Sequence, residues 1–377
     1  MKRVLIAPNS FKECADSREV AEILEEAFVN FEQIRTMKLP VSDGGDGFLE
    51  VCRSLFDLNI LNYSVTAPYD GGEKIQVKAG YSKDEKIIFI ESAEVIGLKR
   101  IPIEQRHPLV LNSKGLGELV KQIKECKLNV EKLVIGVGGT GTSDMGLGFC
   151  SEFGLELYDF LNNKVEIIPA NYFSVKNYKW KSIKLPFKIN LIVDVDNPLL
   201  GEHGTIRTFA PQKGATIGEL TVLEAGFNKI INLLINNNLL NPTEVLNGSG
   251  GGLAAGLKIF FNAEIVKAKD FIQNFLLPKA DDFAPDFVVT GEGSFDRQSL
   301  MNKGAKVVTE YFSSKKIPIF LVCGKIDKET VKKLEGNVIP IELSNFFNDE
   351  AESIKNYEKG FILAAEQIKN YITAIEF

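Results

Sequence analysis

The chain opens with RVLIAPNSFKECADSREVAEILEEAF, residues 3–28. Residues 3–7 form an apolar run that is typical of a buried strand, and a polar loop follows it. Asp16 and Glu19 have the spacing of a capping box, and apolar residues at helical spacing come next. A second strand is expected near 34–40, directly before the acidic, glycine-rich run VSDGGDG. Strand, helix and strand in this order predict an open α/β sheet, which binds ligands at the carboxyl ends of its strands.

The two ends of the chain share this alternation, and the middle does not. Strands are expected again in the last third of the chain, at 287–290, 317–323 and 338–343. Between about residues 60 and 92, alternating stretches separated by turns indicate antiparallel strands instead. We therefore predict two α/β domains. The first is discontinuous and consists of residues 1–60 and 286–377, and the second is inserted between them as residues 61–285.

The composition is that of a globular cytoplasmic protein. With 377 residues, of which 45% are hydrophobic and 25% charged, the chain can bury a sizeable core. The net charge of −6 argues against a nucleic-acid-binding protein, which usually carries a basic face. Five cysteines without a Cys-x-x-Cys pair indicate reduced thiols, not a disulfide framework or a zinc site. No apolar stretch approaches the roughly 20 residues of a membrane span, so no membrane association is expected.

One glycine motif has two competing interpretations. Gly136, Gly138 and Gly141 form a Gly-x-Gly-x-x-Gly directly after a predicted strand, and Asp159 lies 18 residues beyond the last of them. This spacing suits a dinucleotide-binding fold, and the protein would then be a nicotinamide-dependent oxidoreductase of small hydroxy acids. The alternative is a tight strand–helix turn that contacts no ligand. A Walker A sequence is absent from the chain.

Acidic residues at predicted strand ends provide candidate catalytic or metal sites. DVDNP, residues 194–198, follows a buried apolar run. A turn before the proline could bring Asp194 and Asp196 to one cation, and Mg²⁺ favours one or two carboxylates together with substrate phosphates. The alternative is an ordinary turn with a capping aspartate. TGEGSFD, residues 290–296, places two more carboxylates after a strand, with Lys303 nearby, a set suited to phosphoryl transfer.

Two further loops suit an anionic ligand. Lys213 and Gly214 precede a predicted helix, where the lysine and the backbone amides could contact an anion. A solvated lysine is the alternative. GSGGG, residues 248–252, precedes an apolar helix, and four glycines in five residues cost too much chain entropy for an ordinary turn. We interpret this run as a place where the backbone approaches a ligand closely.

Seven of these stretches occur together and in the order found in the bacterial glycerate kinase family, which the chain resembles from residue 3 to about 325. They are APNSFK (7–12), SDGGDG (42–47), GVGG (136–139), DVDNPL (194–199), PQKGA (211–215), GGGL (250–253) and TGEG (290–293). The resemblance implies one flavodoxin-like domain with a mostly parallel sheet and one mixed-sheet domain. It also implies ATP, Mg²⁺ and D-glycerate as ligands. The implied product is 2-phosphoglycerate, with 3-phosphoglycerate as the alternative.

The chain departs from the family pattern at a few positions. Asn9 stands where an aspartate is usual, and Met145, Arg297 and Asn302 stand where glycines are common. Met145 and Asn302 restrict the backbone of their loops, which bears on substrate choice or rate. The departures also leave open a relative that binds ligand without turnover.

The candidate site residues come from the matched stretches and their neighbours. Asp194 is expected to act as base or metal organiser, with Asp196 as a second metal ligand, and Lys12 and Asp296 complete the catalytic set. The residues expected to bind substrate or nucleotide are Ser10, Asp43, Gly44, Gly45, Gly138, Gly139, Asp144, Lys213, Gly250, Gly251, Gly252, Gly291, Glu292 and Lys303. The sequence leaves open which loops bind the nucleotide and which bind the acid. It also leaves the oligomeric state open, with a homodimer as one option.

Overall fold

The computed structural model describes residues 1–11, 14–29, 31–69, 71–297, 299–300 and 304–374. Its strands, in chain order, are β1 Lys2–Ile6, β2 Ile34–Lys38, β3 Leu58–Thr66, β4 Lys74–Ser82, β5 Ile87–Glu91, β6 Lys132–Gly136, β7 Glu156–Tyr158, β8 Lys164–Val165, β9 Asn177–Lys179, β10 Lys188–Val193, β11 Glu264–Lys267, β12 Phe287–Thr290, β13 Ser294–Phe295, β14 Ile319–Cys323, β15 Lys325–Ile326 and β16 Val338–Glu342.

The α-helices, again in chain order, are α1 Ser17–Val29, α2 Phe48–Leu55, α3 Ala93–Ile96, α4 Lys114–Glu125, α5 Leu147–Ser151, α6 Thr205–Phe209, α7 Ile217–Asn236, α8 Leu253–Phe261, α9 Ala268–Phe271, α10 Gly304–Ser314, α11 Lys328–Val331, α12 Glu350–Lys355 and α13 Tyr357–Ala374. In the part of the chain that the structure describes, no helix is both long enough and apolar enough to cross a bilayer.

Side chains before the helices set several of their boundaries. At α7, the hydroxyl of Thr216 accepts the amide of Glu219 at 3.3 Å, and the Glu219 carboxylate accepts the amide of Thr216 at 2.8 Å. This pair satisfies two amides that the first turn leaves without helical partners. At α1, the Asp16 carboxylate accepts the amide of Glu19 at 2.9 Å, whereas the Glu19 carboxylate accepts the hydroxyl of Tyr357. Of the capping box predicted there, the structure shows the hydrogen bond from the Glu19 amide to the Asp16 carboxylate, while the Glu19 carboxylate contacts Tyr357.

The chain forms two compact units, which are described here separately. Unit 1 consists of Met1–Asp43, Glu50–Phe56 and Lys267–Phe377, and unit 2 consists of Gly44–Leu49 and Asp57–Val266. The predicted domains, 1–60 with 286–377 and 61–285, differ from these units at residues 44–49, 57–60 and 267–285. The predicted domain boundaries stay a prediction.

Unit 1 is built on a five-stranded sheet with the order β2-β1-β12-β14-β16. Every neighbouring pair runs parallel. Numbered along the chain, these strands read 2-1-3-4-5, the flavodoxin-like order of doubly wound sheets. Phe320 and Val322 of β14 pack with α1 and α13, while the alternate residues Leu321 and Cys323 pack with Ala305 of α10. Both faces of the sheet are thus covered by helices, which explains why the central strands β12 and β14 are buried at every position.

Unit 2 is built on a six-stranded mixed sheet with the order β11-β10-β6-β5-β4-β3. Strands β10, β6 and β5 run parallel, whereas β4 is antiparallel to both β5 and β3. Strand β5 is buried at every position, as expected for a strand that is covered on both faces. One parallel and one mixed sheet in an α/β protein confirm the predicted fold class.

A small antiparallel sheet, β8-β7-β9, lies in the stretch after α5. The sequence predicts that residues 162–186 lie outside the core, because they are polar and poorly periodic. That prediction is wrong for Tyr172 and Val175, which are fully buried. Tyr172 packs against Gly226 of α7, and its hydroxyl donates to the carbonyl oxygen of Asp144 at 2.9 Å. A turn of 3₁₀ helix, Pro169–Ser174, brings these side chains inward.

Candidate active site

Three parallel strands of unit 2 end at one edge of their sheet. The loops that leave β5, β6 and β10 begin at Ser92, Val137 and Asp194. In open α/β sheets this edge is where ligands bind, because the loops there converge outside the carboxyl ends of the strands. Most of the residues predicted from the sequence for unit 2 lie in these loops, in Gly44–Leu49 or in the run 248–252.

The glycine-rich loops at this edge pack against one another. The amide of Gly138 donates to the carbonyl oxygen of Gly44 at 2.9 Å. A Cβ atom on Gly138 would lie 2.6 Å from the Cα of Gly45, closer than folded proteins tolerate. Gly139 lies beside Asp46 in the same way, since its Cβ would be 2.7 Å from an Asp46 carboxylate oxygen. The structure thus brings the predicted residues of 44–45 and 138–139 side by side.

The run 248–252 packs against the loop that follows β6. Gly251 has a φ of +66°, and a Cβ atom there would lie 1.9 Å from the carbonyl oxygen of Thr142. The amide of Met145 donates to the carbonyl oxygen of Gly251 at 3.1 Å. The close contact with the Thr142 backbone is therefore enough to require a glycine at position 251. The sequence alone suggested a different reason, namely that a ligand lies close to the backbone there. Ligand contact by 250–252 stays a prediction.

Asp144 is fully buried, and protein donors surround its carboxylate. One oxygen accepts the amide of Ser113 at 2.8 Å, the Ser113 hydroxyl at 2.7 Å and the amide of Gly148 at 3.0 Å. The other oxygen accepts the amide of Gly146 at 3.2 Å. Burial raises the pKa of Asp144, and these hydrogen bonds oppose the rise. In the structure this carboxylate joins the start of α4 to the start of α5. The ligand contact that the sequence predicts for Asp144 stays a prediction.

Lys213 is also buried, and its ammonium group donates to the carbonyl oxygen of Thr142 at 2.7 Å. Burial lowers the pKa of Lys213 to about 8, and the nearby Asp144 carboxylate opposes that change. The sequence predicts an anion contact at the start of the next helix. In the structure the ammonium contacts the Thr142 loop, and α7 begins with its own capping pair. An anion contact by Lys213 stays a prediction.

Asp194 and Asp196 are exposed on the loop that follows β10. The carbonyl oxygen of Val195, between them, accepts the side-chain amide of Asn247 at 3.0 Å and the hydroxyl of Ser249 at 3.2 Å. The loop is thus held by Asn247, directly before the 248–252 run, and by Ser249 within it. A carboxylate on a braced loop at a sheet edge is suited to catalysis or metal binding, because it is both accessible and fixed.

The donor set at this loop fits one kind of metal site. Within the described ranges, no group of three or more His, Cys, Asp or Glu side chains is placed to hold a metal ion. Mg²⁺ commonly binds through one or two carboxylates and completes its octahedron with waters and substrate phosphates. Asp194 and Asp196 therefore fit a Mg²⁺ ion held jointly with a nucleotide, and they do not fit a metal cage built from protein alone.

In unit 1, two predicted loops meet where the strand order reverses, between β1 and β12. Flavodoxin-like sheets bind ligands at this switch point. The amide of Asn9 donates to the carbonyl oxygen of Gly291 at 2.9 Å, and the Asn9 side chain accepts the amide of Ser10 at 2.9 Å. Glu292, which follows directly, is buried. The structure therefore groups Ser10, Gly291 and Glu292 in unit 1.

The other residues predicted near unit 1 are less closely grouped. Asp43 is half-buried at the end of the first segment of the unit. Asp296 lies in a turn after β13, where its carboxylate accepts the amide of Ser299 at 3.4 Å. The predicted residues that lie outside the described ranges are Lys12, Asn302 and Lys303.

The sequence matches the model of the glycerate kinase family over residues 4–373. The chain belongs to the glycerate kinase family. Among its relatives, the glycerate kinase of Neisseria meningitidis serogroup B is 31% identical over 331 residues, which cover 86% of each chain. The glycerate 2-kinase of Escherichia coli K12 is 32% identical over 318 residues, 80% of this chain and 79% of the relative. A crystal structure from Salmonella typhimurium LT2, assigned as glycerate kinase 2, is 26% identical, with a TM-score of 0.81 over 100% of this chain and 99% of that chain.

Membership of the glycerate kinase family does not favour the dinucleotide interpretation, and neither does the geometry. A dinucleotide fingerprint opens a helix directly, but α5 begins only at Leu147. The amide of Gly141 donates to the carbonyl oxygen of Ile96 at 2.7 Å, so this glycine belongs to a loop contact. Asp159 lies in a surface turn, where its carboxylate accepts the amides of Leu161 and Asn163.

Sequence reasoning missed several residues that shape the site of this glycerate kinase family member. Glu91, Ser113 and Asn247 all hydrogen-bond to loops that carry predicted site residues. A signal existed for Glu91, since a carboxylate ends the buried run IIFIE. Ser113 and Asn247 offer no such signal, because polar residues before a helix or a glycine are typical of ordinary caps and turns.

Proposed function

We propose that this chain transfers the γ-phosphoryl group of ATP to the 2-hydroxyl of D-glycerate and releases ADP and 2-phosphoglycerate. Membership of the glycerate kinase family supports the proposal, and so does a relative named glycerate 2-kinase. The structural observation that carries it is the pair of exposed carboxylates, Asp194 and Asp196, on a braced loop at the end of a parallel strand.

In the proposed reaction the phosphoryl group passes directly from ATP to glycerate, and the protein forms no covalent bond to either. The glycerate hydroxyl oxygen forms a bond to the γ-phosphorus, the bond from that phosphorus to the ADP oxygen breaks, and the hydroxyl proton must be accepted. Catalysis therefore rests on positioning and on neutralising charge. Asp194 serves as the base for that proton or, with Asp196, organises the metal. Its negative charge is required in either role.

Asp194 and Asp196 would hold Mg²⁺ together with the nucleotide phosphates. When bound, the ion neutralises charge on the phosphoryl group that is transferred. Lys12 and Lys303 are proposed to neutralise the substrate carboxylate and the phosphates. The proposed ligand contacts are Ser10, Asp43, Gly44, Gly45, Gly138, Gly139, Gly250, Gly251, Gly252, Gly291 and Glu292, and Asp296 is held as an alternative base.

Two predicted binding residues take a different role in this proposal. Asp144 and Lys213 are enclosed by protein, and their hydrogen bonds go to loop amides and a loop carbonyl. We infer that they hold the loop after β6 in shape and do not contact the ligand. Their loss would then affect folding and loop order before it affected binding.

An ADP-release assay over a panel of acids tests the proposed function. D-Glycerate should support turnover in the presence of ATP and Mg²⁺, while L-glycerate, D-lactate and glycerol should support much less. Phosphorus NMR of the product should show phosphate on the 2-hydroxyl. A change in nicotinamide absorbance without ADP release would favour the oxidoreductase, and saturable ligand binding without turnover would favour a non-catalytic relative.

A further inference from the structure

Glu91 places a buried carboxylate beneath the loop Gly44–Leu49. It is the last residue of β5 and is 7% exposed. One carboxylate oxygen accepts the amide of Gly47 at 3.1 Å, and the other accepts the amide of Leu49 at 3.1 Å. Because each oxygen takes one amide, the contact fixes the loop in orientation as well as in position.

The same loop is attached at its other end to the loop that follows β6, the strand next to β5. The amide of Gly138 donates to the carbonyl oxygen of Gly44 at 2.9 Å. The amide of Ser92, directly after Glu91, donates to the carbonyl oxygen of Gly136 at 3.0 Å. Gly44 is therefore held by a backbone contact to the β6 loop, and Gly45 lies between that contact and the attachment of Gly47 to the Glu91 carboxylate.

We propose that Glu91 is a positioning residue that holds the Gly44–Leu49 loop in its ligand-binding shape. This inference rests on the proposed function, in which Gly44 and Gly45 contact substrate or nucleotide. Glu91 itself touches no reacting atom. It acts through the two loop amides, which must stay ordered when a ligand binds, and an error of about 1 Å in such a loop can cost a hundredfold in rate.

The charges around Glu91 make its protonation state a useful readout. Burial raises the pKa of Glu91 to about 7, the loop amides oppose the rise, and the Glu94 and Asp46 carboxylates add to it. Both neighbours are themselves paired, Glu94 with Arg100 and Asp46 with Lys99. Protonation turns one acceptor oxygen into a hydroxyl, which is a much poorer acceptor of an amide, so one of the two bonds to the loop is weakened.

The test compares Glu91→Gln with Glu118→Gln in the full-length protein. Glu118 is a matched control, because its carboxylate also accepts a backbone amide, that of Thr66 at 2.8 Å, together with the Thr66 hydroxyl at 2.6 Å. Hydrogen exchange at residues 44–49 reports the attachment directly. The Glu91→Gln variant should show protection factors lowered about tenfold or more at 44–49, whereas Glu118→Gln should leave that segment unchanged.

The dependence of kcat/KM on pH then tests whether this attachment matters for catalysis. With D-glycerate and ATP, kcat/KM of the wild type should fall as pH drops below about 7. Glu91→Gln should lower kcat/KM by about 10–100-fold at pH 8 and should flatten that dependence. Glu118→Gln should keep the wild-type profile. If Glu91→Gln fails to fold, wild-type protection factors at pH 6 and pH 8 provide the same comparison without a variant.

The outcomes separate this inference from the proposed function. Unchanged protection factors at 44–49 in Glu91→Gln, or in the wild type between pH 6 and pH 8, would overturn the attachment. Increased exchange with wild-type kinetics would overturn the positioning role. Increased exchange in a protein that releases no ADP with any acid would leave the attachment standing and would count against the kinase proposal.

Discussion

The side-chain amide of Asn247 donates to the carbonyl oxygen of Val195 at 3.0 Å, and its side-chain oxygen accepts the amide of Ser249 at 2.8 Å. One side chain thereby links the loop of Asp194 and Asp196 to the glycine-rich run that precedes α8. Some residues hold a metal ligand in place without contacting the metal. Removing such a residue commonly lowers metal affinity or activity by about 10–100-fold.

Asn247→Ala should therefore lower kcat by about 10–100-fold and raise the Mg²⁺ concentration needed for half-maximal turnover. The expected cause is a loosened Asp194 loop, since the Val195 carbonyl oxygen would lose the Asn247 amide and keep the longer contact with the Ser249 hydroxyl. Asn241→Ala is the control, because Asn241 makes a similar local turn by accepting the amide of Thr243 at 3.0 Å on an exposed loop. Equal Mg²⁺ titrations for the two variants would refute the bracing role.

Gly251→Ala should destabilise unit 2. The backbone at Gly251 has a φ of +66°, and the new Cβ would overlap the carbonyl oxygen of Thr142. A loss of at least about 1–3 kcal/mol is expected in urea unfolding. Gly218→Ala, in the first turn of α7, is the matched control because its added Cβ has no atom within 4 Å beyond its chain neighbours and the backbone of its own helix. That variant should be neutral or more stable by up to about 1 kcal/mol. Similar unfolding midpoints for the two variants would contradict the packing account.

Lys213 should make the free energy of unfolding rise with pH in the alkaline range. Its folded pKa is about 8, below the ordinary value of 10.5, so the fold disfavours the charged ammonium. Raising the pH from about 8 to about 10.5 removes that cost, and the wild type should gain stability relative to Lys213→Met over this window. The gain is on the order of 3 kcal/mol at most. Parallel curves of unfolding free energy against pH for the two proteins would show that Lys213 is not buried in its charged form.

Removal of divalent metal should abolish turnover without unfolding the protein. EDTA should reduce ADP release to background, and added Mg²⁺ or Mn²⁺ should restore it, because phosphoryl transfer needs a cation at the phosphates. The melting temperature should stay unchanged, since the described residues contain no cluster of three or more ligands that would hold a structural metal. Full activity in metal-free buffer would contradict the mechanism.

Local sequence patterns were sufficient for the framework of the fold. The strand at Ile87–Glu91 and the strand at Lys188–Val193 are apolar runs, and such runs identify buried strands wherever the partners lie. Met145 was also informative, because a residue other than glycine was expected to restrict its loop. The structure places Met145 at a φ of 56°, in the left-handed region that favours glycine.

The candidate site was harder to predict, because its contacts join distant parts of the chain. A glycine such as Gly251 has the same sequence signal whether it adjoins a ligand or another backbone, and its partner Thr142 lies more than a hundred positions away. Asp144 and Lys213 have the charges expected of ligand-binding residues, yet both are buried against loops. Their burial is visible only in the three-dimensional arrangement, and the proposal that they hold loops in shape rests on it.

The measurement that tests the central claim most directly is turnover of Asp194→Asn with D-glycerate, ATP and Mg²⁺, together with its melting temperature. The substitution keeps the shape of the side chain and removes its charge. Because Asp194 is exposed, the change in unfolding free energy should stay within about 0.5 kcal/mol. The kinase account predicts a folded protein whose kcat falls by about 10²–10⁴-fold. A folded Asp194→Asn variant with near wild-type kcat would contradict the account and would transfer the catalytic role to Glu292 or Asp296.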